Sequence, residues 1–168
     1  MIEMKSKYIL FLTILFVSCA SQKKLSDNNR KQNYEYKALE SFKGDTLNYV
    51  VSNFVEHKNQ YIGKPASVLF NDLQYEIKSY LPIILDNGTF VMQISNLTHN
   101  QNTWRLSERL KMVEISITLK DEIKWDKILE LGAGNPNHND WTPRHRAFFE
   151  KQIVKDVKYF AIPTDEKK

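Results

Sequence analysis

Beyond residue 46 the apolar positions of this chain first recur at helical spacing. Leu47, Val50, Val51, Phe54, Val55, Tyr61 and Ile62 trace one stripe, with Asn48, Ser52, Glu56 and Gln60 opposite it. Asp45 stands where an N-cap is needed, and Gly63 where a helix commonly ends in a residue with positive φ. Pro65 then suits the first position of a second, shorter helix over residues 65–73, which would turn Val68, Leu69 and Leu73 inward. Two helices joined at a tight corner, Ile62-Gly63-Lys64-Pro65, are therefore expected to open the domain.

The period then changes to two. Tyr75, Ile77, Leu81 and Ile83 alternate with Glu76, Lys78 and Tyr80, the pattern of a strand with one buried face. Asp86-Asn87-Gly88 supplies residues that tolerate positive φ, so a hairpin should return the chain along Phe90, Met92 and Ile94. Residues 98–103 read as a polar loop and 104–110 as extended strand. Val113, Ile115, Ile117 and Leu119 interleave with Met112, Glu114, Ser116 and Thr118 in the clearest strand of the chain.

A short helical patch over residues 125–131 is closed by Gly132-Ala133-Gly134, and residues 135–140 are turn chemistry throughout. Thr142-Pro143 has the form of an N-cap followed by proline at N1. Phe149, Ile153, Val157 and Phe160 then recur at helical spacing, which predicts a last helix to about Tyr159. The expected fold is α+β in the order α-α-β-β-β-α: two N-terminal helices, a three- to four-stranded antiparallel sheet and a C-terminal helix. One domain over residues 44–163 would hold it, with a charged tail at 164–168.

The segment before this domain has a different character. Lys5 and Lys7 precede an apolar run over residues 8–17, which is shorter than the roughly 20 residues needed to span a bilayer. The run ends at Ser18-Cys19-Ala20, and these parts match a secretory signal. Phe16-Val17-Ser18-Cys19 resembles the lipobox of bacterial lipoproteins, with Phe16 in place of the usual Leu. That resemblance implies a signal peptide at residues 1–18 and a lipid on Cys19, the sole cysteine. It also implies an outer-membrane location, because Ala20 and Ser21 follow Cys19 where an Asp would signal inner-membrane retention. Residues 19–43 are polar and aperiodic, a composition that reads as a solvated tether.

The mature domain resembles the small uncharacterised lipoproteins of Gram-negative bacteria, through its Tyr61-Ile62-Gly63-Lys64-Pro65 corner and its late Trp141-Thr142 helix start. It is also similar, in two helices preceding a sheet, to the small lipoproteins of the outer-membrane barrel-assembly machinery. It departs from them in the extension over residues 125–160 and in lacking their Gly-x-Pro ending after the second helix. These resemblances imply a membrane-anchored envelope protein with a protein partner, and no particular activity.

Charge and candidate chemistry narrow this further. The balance is 24 Lys+Arg against 20 Asp+Glu, a formal charge of +4 spread along the chain, with no basic block of the kind that nucleic acid requires. No Gly-rich phosphate loop or Gly-x-Ser-x-Gly elbow occurs, and Gly132-Ala133-Gly134 follows a helical patch rather than a strand, so no cofactor is implied. The one polar constellation is His138, Asp140 and His145, whose imidazole and carboxylate groups suit Zn²⁺. Arg144 and Arg146 beside His145 oppose a cation there, and a solvated loop is the expectation. His57 and His99 read as surface residues. Trp104, Trp125 and Trp141, with Tyr34, Tyr36, Tyr80 and Phe148, lie near loops, where they either cap the open end of a small core or contact a ligand or protein. The reading is a non-enzymatic binding or assembly module of the envelope. An immunity-type inhibitor lipoprotein and a metal-dependent hydrolase are the alternatives.

Overall fold

The computed structural model describes residues 35–162. The signal-like segment, Cys19, most of the expected tether and the tail 164–168 lie outside the described residues. Asp45 caps α1 (Thr46–Val50) as its position suggests, its carboxylate accepting from the Asn48 N–H at 3.2 Å. The single long helix expected here is broken. Val51–Val55 is a π turn, closed by the Glu56 N–H on the Val51 carbonyl at 3.0 Å, and Lys58–Gln60 is a 3-10 turn. A π turn inserts one residue into the helical repeat and rotates the face that follows. Tyr49, Val50, Phe54 and Tyr61 are the buried apolar set, while Val51 and Val55 are half-buried and Ile62 is exposed. The same turn brings Asn53 fully inside, where its amide accepts from the Lys37 N–H at 3.1 Å and donates to the Lys37 carbonyl at 2.9 Å.

The second helix, α2 (Ala66–Asp72), follows a corner at which Gly63 holds φ 78°. This corner is strapped to a distant segment. The Gly63 N–H donates to the Val154 carbonyl at 2.8 Å, and the Val154 N–H returns to the Lys64 carbonyl at 2.9 Å.

Four strands form one antiparallel sheet in the order β1-β2-β3-β4: Ser79–Ile84, Phe90–Ser95, Met112–Leu119 and Val154–Ile162. The hairpin at Asp86-Asn87-Gly88 forms as expected, with Gly88 at φ 77°. The phase of β1 is the reverse of the expected one: Tyr80 points into the core and Leu81 stands on the open face. The residues before Ser79 are not part of the strand, so alternation counted from Tyr75 carries into it out of step. Pro82 is tolerated because β1 is an edge strand.

Two further expectations are corrected. Residues 98–107, read as loop and strand, form α3 (His99–Ser107), started by a capping box in which Thr98 accepts from the Gln101 N–H and the Gln101 side chain accepts from the Thr98 N–H. The last element is a strand, not a helix. The helix begun by Thr142-Pro143, α5 (Pro143–Phe149), stops after seven residues, and β4 pairs with β3 from Met112↔Ile162 to Leu119↔Val154. A bulge at Thr118/Leu119 leaves Lys155 unmatched and puts Val154 and Val157 on the same buried face. The four residues behind the expected helix do not share a face: Phe149 ends α5, Ile153 precedes β4, Val157 is buried and Phe160 is exposed.

The main core lies between one face of the sheet and the helices. Tyr80, Phe90, Met92, Ile94, Ile115, Ile117 and Val157 meet Tyr49, Phe54, Leu69, Phe70 and Phe149, joined by Ile128 and Leu131 of α4 (Trp125–Gly132), a helix that forms as expected. The opposite face carries α3 at one end, where Asn102 bridges Ser79 and Ser95, and is otherwise open.

Candidate functional site

The polar loop that drew attention in the sequence does not hang free. Its end pairs with the outer edge of β1: the Tyr80 N–H donates to the Asn139 carbonyl at 2.9 Å, and the Trp141 N–H to the Lys78 carbonyl at 3.0 Å. Asp140 thereby becomes a bridge partner of Ser79. Earlier in the loop, Gly132 lies against His138 so closely that a Cβ would stand 3.1 Å from the imidazole Nδ1. A side chain at that position of α4 would have to push His138 back by a few tenths of an ångström.

This pinning separates the three groups proposed as metal ligands. His138 is exposed. Asp140 is half-buried, 3.4 Å from the Asn137 amide nitrogen. His145 is sealed inside the domain, its ring 4.6 Å from Tyr80 and stacked on Trp141 at 5.9 Å. Its Nδ1 accepts from the Thr142 N–H at 3.2 Å and lies 2.7 Å from the Thr142 hydroxyl, completing the cap of α5. Its Nε2 is buried and unpartnered. Burial, reinforced by the Arg144 cation, holds this imidazole below its ordinary pKa, so it is a neutral part of the core. Among the described residues no group of three or more His, Cys, Asp or Glu could hold a metal ion.

What the loop builds instead is an open groove of about 480 Å³. One wall is Glu76, Ile77 and Lys78, leading into β1. Another is Thr98 and Asn100 at the start of α3, and the third is Asn137, Asp140 and Trp141. These segments are far apart in sequence, and only the sheet brings them together, so no motif spacing announces the groove. Trp141 lines it and is held by edge contacts with Phe70 and Tyr80 and by stacking on Phe149 at 5.8 Å. A second cleft, of about 240 Å³, lies between Gly44, Thr46, Asn96 and Lys111. Its cations are engaged: Arg105 bonds the Lys111 carbonyl at 2.9 Å, and Lys111 reaches Asp45 at 3.4 Å.

The other singled-out residues divide. Trp104 and Trp125 are exposed, Tyr80 is buried, and Phe148 packs half-buried on Phe149. Tyr36 bonds the Tyr49 hydroxyl at 2.7 Å and the Asp72 carbonyl at 2.6 Å. His99 is half-buried, its Nδ1 3.3 Å from the Asn139 amide, and His57 is half-buried too. Tyr34 lies outside the described residues. Glu114, on the polar side of the β3 alternation, is a buried acid. Burial alone pushes its carboxyl up to about 7.

Comparison of the chain with protein-family models, with curated proteins and with solved structures returned no match.

Proposed function

We propose that this chain is a lipoprotein of the bacterial envelope, anchored at the outer membrane through lipid on Cys19, whose domain works by non-covalent binding of a partner protein. The anchor is supported by the charged start, the short apolar run and the small residue before Cys19. The observation that carries the binding reading is the sheet face turned away from the main core. Leu81 and Phe160 stand 43% and 40% exposed on it, and α3 on the same side presents Trp104 at 57% and Leu106 at 55%. Large apolar side chains kept in water across strands and a helix are the material of a contact surface. His145 and Glu114, an imidazole and a carboxyl that burial shifts from their ordinary values, are both sealed away from solvent, which favours binding over catalysis.

Two measurements in a deletion strain test this. Labelled palmitate should enter the wild-type chain and not Cys19→Ser; equal labelling would reject the anchor. Complementation should fail for the pair Leu81→Asp and Trp104→Asp at normal abundance, and survive His138→Ala and chelator treatment. Full rescue by the Asp pair, or stoichiometric zinc in the wild type with loss on His138→Ala, would turn the reading towards an enzyme.

A further inference from the structure

We propose that the groove between β1, α3 and the 137–141 segment binds an uncharged saccharide, a ligand beyond the protein contact proposed above. Four features of the groove lead there.

Its volume of about 480 Å³ falls within the roughly 300–1,000 Å³ of small-molecule sites, yet it lies open to solvent, so its occupant stays partly hydrated. A ligand with an apolar body would gain little, since Ile77 and Trp141 are the only apolar walls. A pyranose meets both conditions: its C–H face lies against an aromatic ring, and its hydroxyls keep their bonds to water along the other edge.

The polar groups match that ligand. Asn137 and Asp140 present an amide and a carboxylate side by side, and Asn100 faces them from α3. Planar groups of this kind accept from, or donate to, two neighbouring hydroxyls at once. Glu76 and Asp140 against Lys78 leave one net negative charge, which disfavours phosphate, sulfate and carboxylate ligands and leaves neutral hydroxyl groups.

The site is also built in advance. Trp141 is clamped by Phe70, Tyr80, His145 and Phe149, and the backbone on either side of Asp140 is tied to β1. A sugar would meet walls already in place, so little of the binding energy is lost to ordering. The same ties argue against an extended peptide, because the edge of β1 at this point is already occupied by Asn139 and Trp141.

The test is a titration of the full chain carrying Cys19→Ser, in micelles, with N,N′-diacetylchitobiose, cellobiose and maltose at millimolar concentration. The indole N–H resonance of Trp141 is the reporter, identified by substituting the exposed Trp104 and Trp125 with Phe. At least one disaccharide should shift it saturably, and Asn100→Ala and Asp140→Ala should each weaken binding about tenfold, the worth of one good hydrogen bond. Asn100 is exposed, so its variant keeps the fold even if the Asp140 variant loosens the loop. The proposal is overturned by no shift with any of the three sugars, by shifts undiminished in Asn100→Ala, or by equal shifts with triglycine or inorganic phosphate. Release of new reducing ends from a bound sugar would leave the ligand class in place and overturn the non-catalytic reading instead.

Discussion

Glu114→Gln should stabilise this protein at alkaline pH and do almost nothing at acid pH. Glu114 is nearly inaccessible on β3, and burial raises its carboxyl from the ordinary 4.5 to about 7. The folded chain therefore holds a proton that the unfolded chain releases. Stability must fall as pH rises from about 4.5 to about 7, because the native state binds more protons than the unfolded state across that window. At ~1.4 kcal/mol for each tenfold change in proton affinity, the loss is about 3 kcal/mol once the group is ionised. A neutral amide of the same shape avoids that loss. For a domain of this size the gain at pH 8 corresponds to roughly 10 °C in Tm. His145 tilts the profile the other way: its pKa is lowered on folding, so stability is lost as pH falls below its ordinary 6.5. Urea unfolding followed by circular dichroism, from pH 4.5 to 8.5, separates the two. The Gln variant should keep the acid limb and lose the alkaline decline. Equal stability of variant and parent at pH 8 would refute the argument that Glu114 is ionised at the expense of the fold.

Three shorter tests address the frame around it. Gly63→Val should cost more than about 1 kcal/mol through backbone strain alone, since φ is 78° and a Cβ would meet no neighbour; an unchanged Tm would place the turn elsewhere. Phe149→Ala removes a fully buried ring that touches Tyr80, Phe90, Trp141 and Phe148, and should cost about 3–5 kcal/mol, read from the shift in urea midpoint; under 1 kcal/mol would mean that the site collapses. Thr142→Ala removes the side-chain cap of α5 and one of the partners of His145 Nδ1, and should cost about 1–2 kcal/mol, read from the urea midpoint; an unchanged midpoint would show that the cap does not hold the helix.

The sequence was most legible where local chemistry and burial agree. Asp45, Gly63, Gly88 and Thr142 each do what their side chains favour, and Val113 to Leu119 alternate as a central strand should. It misled where a local device shifts the period. The π turn at Val51–Val55 interrupts the first helix, and the spacing of Phe149, Ile153, Val157 and Phe160 runs from the end of α5 into β4, where Val157 is buried and Phe160 is exposed on the other face. The start of α3 is marked locally by the capping box of Thr98 and Gln101, but the polar residues around it carry no apolar stripe. The candidate site was legible only in part. Asp140 and Trp141 do line a groove, but Glu76, Lys78 and Asn100 reach it from two distant segments. His145, marked as a ligand by its residue type, is part of the core, and replacing it would test stability rather than chemistry.

The strap between the Gly63 corner and Val154 sets an order of events for folding. Its two hydrogen bonds, like the ion pair of Lys58 with Asp156 across 98 residues of chain, join the opening of the domain to its last strand. Contacts this remote in sequence close late, because the loop entropy must be met before they form. A chain emerging from its N-terminus would build α1, α2 and the first three strands with the β3 edge still bare. That edge stays open to misplaced strands from other chains until residue 162 has emerged. The nine residues of β4 thus act as a latch, and their loss would leave the N-terminal helices without the strand that they are built to hold.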